Sequence, residues 1–181
     1  LVHSTHVAKV VKTPPRGFVK KTDALVTNKP GVFLYILSAD CFPVFFHGDA
    51  GHTVGIAHAG WRGVMKKIVP KVIRTLKIQY NLNPKDIRVV IGPGIRRCHF
   101  EIWPETRHKE ISRYIKPYRR FLHKKDGRLF LDLDGIIEYQ SRRNGIPARN
   151  IRIVRECTYH LPRKYFSYRR DANRQHPRGL G

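Results

Sequence analysis

Two apolar runs, residues 32–37 (VFLYIL) and 54–57 (VGIA), each lead straight into a block rich in reactive side chains. The first block is SADC at residues 38–41; the second is AHAGWRG, ending at Gly63. Short apolar runs read as buried strands, and a strand fixes the direction of whatever leaves its end. The pattern predicts neighbouring strands that deliver Cys41 and His58 to one place on a rigid scaffold. A third metal-competent side chain, His3, opens the chain in VHSTHV. One thiol and two imidazoles make a three-ligand set with a fourth position open, as expected of a catalytic rather than a structural zinc. His6 competes with His3 for this role, because in one extended segment the two face opposite sides.

Around these blocks the patterning is that of a single α+β domain spanning residues 1–181. Residues 7–11, 23–27, 42–46, 87–91, 129–133 and 151–154 read as strands. From Gly63 the period changes to that of an amphipathic helix reaching Tyr80, with a basic outer face and a kink expected at Pro70. Residues 104–123 read as helical, and 132–144 as a helix stopped by Gly145. Residues 175–181 read as a frayed end. The chain starts at Leu1, beside a candidate ligand, so we expect residues to be missing before it.

Taken alone, a buried Cys is commonly a small hydrophobe and a lone His a hydrogen-bonded structural residue. The neighbours of Cys41 and His58 favour function: Asp40 brings charge to the strand end, and Gly60 and Gly63 let backbone approach a ligand. Arg62 between them can grip phosphate through two parallel hydrogen bonds, or simply form a surface ion pair. Cys98 and Cys157 have weaker claims, since no paired spacing links them to a second metal site. The block YFSYRRD (residues 165–171) is either a stacking surface or an ordinary packed strand with charged edges.

Lys and Arg outnumber Asp and Glu 36 to 13, for a net charge of +23. The basic residues are scattered as pairs, without a run of five and without a nucleic-acid-binding motif, which predicts a solvated basic surface rather than a nucleic-acid reader. The three cysteines are widely spaced and odd in number, so a disulfide framework is not expected and a reducing, cytoplasmic setting is. No segment has the length of a membrane span.

Together VHSTHV, KTDALVT, SADCFPV, AHAGWRGV, IGPGIRRCHFEI, FLDL and CTYHLPRKYFSYRRD resemble, in order, the laccase-domain family, also called polyphenol oxidase-like or multicopper polyphenol oxidoreductase. SADC with HAGWRG at this separation is its most specific signature. The resemblance implies a layered α/β/β/α sandwich with mixed sheets, akin to the catalytic domain of cytotoxic necrotising toxins. It also implies zinc-dependent purine nucleoside phosphorylase activity on adenosine, inosine or methylthioadenosine, with possible adenosine deamination. By position the implied metal ligands are His3, Cys41 and His58. Ser4 replaces the family's usual Gly, Gly94 stands where many members have a Cys, and members carry a region before the Val-His segment. Copper is disfavoured, because a multicopper site needs more His ligands than this cluster supplies. The expected partners are purine nucleosides and phosphate. The rival readings are a metal-free amidohydrolase using Cys41 as nucleophile and His58 as base, and a basic nucleic-acid-binding module.

Overall fold

The computed structural model of the protein describes residues 10–12, 17–48, 52–102 and 108–175. Among these, strands β1 (Val10–Lys12), β2 (Ala24–Thr27), β3 (Phe42–Gly48) and β4 (Thr53–Ala59) precede helices α1 (Trp61–Met65) and α2 (Ile68–Gln79). Then come β5 (Ile87–Ile91), β6 (Glu101–Ile102), α3 (His108–Ile115), β7 (Leu122–Lys125), β8 (Arg128–Leu131), α4 (Leu133–Arg143), β9 (Ile151–Ile153) and α5 (Tyr168–Gln175). The result is an α+β arrangement with one mixed six-stranded sheet, ordered β1-β2-β4-β3-β5-β9, and a small antiparallel sheet, β6-β8-β7.

Alternation decides which face of the large sheet carries the core. In β5 the odd residues Ile87, Val89 and Ile91 are buried while Arg88 and Val90 point outward. Val44 and Phe46 of β3 and Ala57 and Ala59 of β4 add to the same face, and there they meet Val64, Ile68, Val72, Ile73 and Leu76 of α1 and α2 and Ile136 and Ile137 of α4. The opposite face carries a smaller cluster in which Leu34 and Ile36 pack on Leu25 and Ile56.

That smaller cluster corrects one expectation. Residues 32–37 form no regular strand, and Phe33 and Leu37 are 79% and 77% exposed. The run is apolar throughout, but only alternate residues find a surface to cover. The strand that positions Cys41 is the one that follows it, β3. A second correction concerns the helix expected from Gly63 to Tyr80. It is two helices, broken at Lys66 and Lys67, with Lys67 in the left-handed region at φ 63°. Pro70 lies in the first turn of α2, where its missing N–H removes no intrahelical bond, so it produces no kink. The basic outer face is as expected, with Lys71, Arg74 and Lys77 exposed.

Residues 108–123 also differ from the single helix expected. α3 ends at Ile115, residues 116–121 form a 3-10 turn, and the chain then enters β7. Residues 104–107 lie outside the described residues. The helix at 132–144 is as the sequence predicts. The Asp132 side chain caps it by accepting from Gly135 N–H, and Gly145 ends it at φ 92°. Its first turn carries Asp134, paired with Arg96 at 2.9 Å; burial outweighs that partner and raises the carboxyl to about 6. No helix among the described residues is long and apolar enough to cross a membrane.

Candidate functional site

Cys41 immediately precedes β3, and His58 is the penultimate residue of β4. The two strands are antiparallel, with Phe42 opposite Ala59 and Pro43 opposite His58, so the next step of the register places Cys41 opposite Gly60. The register therefore sends both side chains to the same end of the sheet, as the sequence predicts. They meet above Gly60: a methyl group on that residue would lie 2.9 Å from Cys41 Sγ and 3.5 Å from His58 Cε1. Glycine is required here for close approach, and not for an unusual backbone angle. His58 is buried, its backbone N–H donating to the Asp23 carbonyl at 2.8 Å, while Cys41 is half-buried. The KTDALVT block thus fixes the height of His58.

Gly60→Ala tests this geometry directly. The new methyl must displace the Cys41 sulfur, and misplacing a reacting group by about 1 Å can cost roughly 100-fold. We expect turnover to fall by at least about tenfold with little change in melting temperature. Wild-type activity in the Gly60→Ala variant would remove Cys41 from the working geometry.

Asp40 carries more of the site than its place in the sequence suggests. Its backbone sits at φ 82°, in a region non-glycine residues seldom occupy, and its carboxylate is buried. One carboxylate oxygen accepts from Thr158 Oγ1 at 2.7 Å and the other from the Arg169 backbone N–H at 2.6 Å. Its carbonyl accepts from Ile95 N–H at 2.8 Å. Three distant blocks, IGPGI, CTYH and SYRRD, therefore converge on the residue beside Cys41. The SYRRD block leads into α5 and forms no strand. Arg170 donates to the carbonyls of Thr158, Tyr159 and Tyr165, and Arg169 to those of His99 and Glu101.

Arg62 lies in the first turn of α1. Its guanidinium stacks 4.6 Å above the Trp61 ring and forms a forked ion pair with Glu110 of α3, the shortest contact being 2.9 Å. His3 and His6 lie outside the described residues. Gly94 leaves no room for a side chain, because a Cβ would lie 2.6 Å from the Phe42 ring.

A second cluster is invisible in the sequence. Cys98, His99, Cys157 and His160 each turn one ligand atom inward, and the four atoms lie within 4.8 Å of one another. Burial, reinforced by neighbouring Cys157, pushes the Cys98 thiol up to about 11. Desolvation, with His160 and Arg169 nearby, lowers the basicity of His99. No disulfide joins the three cysteines.

The family described as multi-copper polyphenol oxidoreductase laccase matches residues 1–179. The chain belongs to that family. A purine nucleoside phosphorylase of Aquifex aeolicus is 33% identical over 175 residues, covering 94% of this chain and 75% of that protein. The purine nucleoside phosphorylase YlmD of Geobacillus stearothermophilus is 32% identical, covering 94% and 65%. The chain spans 65% of the length of the purine nucleoside phosphorylases of Rickettsia that it matches at 30–31% identity. Among solved structures, the hypothetical protein YfiH of Bacillus licheniformis superposes with a TM-score of 0.86 at 29% identity, covering 94% of this chain and 68% of that one. The Geobacillus stearothermophilus YlmD structure gives 0.82 at 28%, covering 93% and 66%. Membership of the laccase family thus rests on the whole chain and on its fold, and a Cys/His cluster able to take a metal is present in it.

Proposed function

We propose that this laccase-family chain carries the centre of a zinc-dependent purine nucleoside phosphorylase, with His3, Cys41 and His58 holding the metal and Arg62 binding phosphate. The observation that supports it is the convergence of Cys41 and His58 above Gly60, in a chain whose relatives are named for that activity. A thiolate and an imidazole on a strand-anchored frame suit zinc, and His3 is the third ligand by position in the family signature. Bound there, zinc supplies a Lewis-acidic position open to substrate.

In phosphorolysis a phosphate oxygen bonds to the anomeric carbon as the bond to the purine nitrogen breaks. The bond pair leaves with the base, and the proton lost by monohydrogen phosphate ends on it. The products are free base and ribose 1-phosphate, or the methylthioribose equivalent. Charge spreads over an oxocarbenium-like transition state, so fixed groups that hold phosphate and ribose in line do most of the work. Arg62 suits the phosphate role: its fork is already ordered by Trp61, and a phosphate dianion competes with Glu110 for the same two N–H groups. Gly60 and Gly63 keep the backbone low beside it.

The test is turnover of adenosine, inosine and methylthioadenosine by zinc-loaded protein, with and without phosphate. Free base and ribose 1-phosphate that appear only with phosphate are expected. Conversion of adenosine to inosine with release of ammonia, independent of phosphate, would mark deamination at the same centre. Failure with all three nucleosides would sink the reading, and hydrolysis of an amide unaffected by chelation would favour the Cys-His amidohydrolase.

A further inference from the structure

We propose that Cys98, His99, Cys157 and His160 form a second metal site, one that takes a tetrahedral divalent ion of the zinc type and staples the C-terminal segment to the loop after β5. The ligands come as two pairs, an adjacent Cys98-His99 and a Cys157-x-x-His160, with His99 and Cys157 58 positions apart. A parallel bridge between Gly94 and Cys157 brings the pairs together, with Thr158 N–H donating to the Gly94 carbonyl at 3.1 Å. A tight turn, His160 N–H to the Cys157 carbonyl at 3.1 Å, folds His160 back over Cys157.

The distances fit a metal better than they fit hydrogen bonds. Cys98 Sγ lies 4.0 Å from His160 Nδ1, and Cys157 Sγ lies 4.0 Å from His99 Nδ1. Both are long for a thiol–imidazole hydrogen bond. Bond lengths of about 2.3 Å to sulfur and about 2.0–2.1 Å to nitrogen put the S···N edge of a tetrahedron at roughly 3.6 Å. Closing a cluster already within 4.8 Å needs only small rotations, and Cys98 and His160 are exposed and able to make them.

The surroundings support ligation as well. Arg96 N–H points to Cys157 Sγ at 3.5 Å, a backbone donor placed to stabilise a thiolate. His99 is clamped, stacked on Tyr159 at 4.0 Å and edge-on to His160 at 4.2 Å. A divalent ion entering as two thiols lose their protons leaves the net local charge unchanged, which suits a region that already holds Arg96 and Arg169. Two thiolates and two imidazoles in a closed four-ligand set select zinc, in a structural role. The staple would hold Thr158 where it donates to Asp40, yet its existence does not depend on the phosphorylase reading.

Cobalt(II) is the probe, titrated into reduced, metal-stripped full chain and then displaced by zinc. Cys41→Ala serves as the background, because it takes the only thiol from the site above Gly60. We expect that variant to bind one cobalt with thiolate charge-transfer bands and the visible bands of tetrahedral geometry. Adding Cys98→Ala and His160→Ala, both exposed positions, should weaken binding by at least about 100-fold. Melting curves should show zinc stabilising Cys41→Ala and not the triple variant. The proposal is overturned if Cys41→Ala shows no thiolate–cobalt absorption, if the triple variant binds as tightly, or if Cys98 and Cys157 instead close a disulfide that excludes metal. None of these readouts uses nucleoside turnover, so either proposal can fail alone.

Discussion

Cys41→Ala should abolish phosphate-dependent nucleoside turnover, by more than about 100-fold, while the melting temperature moves only a few degrees. Changing a group that merely orients a metal ligand typically costs about 10–100-fold, and losing the only thiolate of a three-ligand site exceeds that. The fold has little at stake in this side chain, which is half-buried and precedes β3 rather than lying within it. His58→Ala should cost nearly as much, and the double variant little more than either single one, because ligands of one ion act as a unit. Zinc content should fall by about one ion per chain, the ion held by Cys98, His99, Cys157 and His160 remaining. Turnover within about fivefold of wild type in a zinc-depleted Cys41→Ala protein would remove this centre from the chemistry.

Asp40→Ala should be the most damaging substitution near the site for stability. It removes a buried carboxylate that accepts from Thr158 Oγ1 and from the Arg169 N–H, leaving the amide without its acceptor. It also asks alanine to hold φ 82°, which aspartate and asparagine tolerate better. Together these predict a loss of about 3–4 kcal/mol, measured by chemical denaturation, with turnover falling through displacement of Cys41. Asp40→Asn distinguishes geometry from charge. Its amide oxygen can accept from Arg169 N–H while its nitrogen donates to the Thr158 hydroxyl, so most of the stability should return. An alanine variant as stable as wild type would show that the Asp40 contacts contribute nothing.

What can be read from the sequence depends on how local each signal is. The strand at residues 87–91 and the helix from Asp132 to its stop at Gly145 are written within a few residues, and they read correctly. So does the convergence of Cys41 and His58, because β3 and β4 are consecutive antiparallel strands and the register does the rest. Residues 32–37 mislead, since composition cannot distinguish a run buried on both faces from one that packs Leu34 and Ile36 while exposing Phe33 and Leu37. The helix break at Lys67 is hidden behind the more conspicuous Pro70, which sits where proline is harmless. The Cys98, His99, Cys157 and His160 cluster cannot be read at all. Neither pair has a spacing diagnostic of metal, and the bridge at Gly94 that brings them together is a long-range contact.

The convergence on Asp40 also orders events in time. Thr158 lies 118 residues after Asp40, and Arg169 lies 129 after it. At a synthesis rate of about 5–20 residues per second, the β3–β4 hairpin waits roughly 5–22 s on the ribosome before the residues that brace Cys41 have even been made. During that interval the half-built centre presents a thiol with its scaffold unsecured. The stretch that completes it is made 117 residues or more after Cys41, so a nascent chain halted before residue 158 would carry Cys41 and His58 without the clamp that makes them a site.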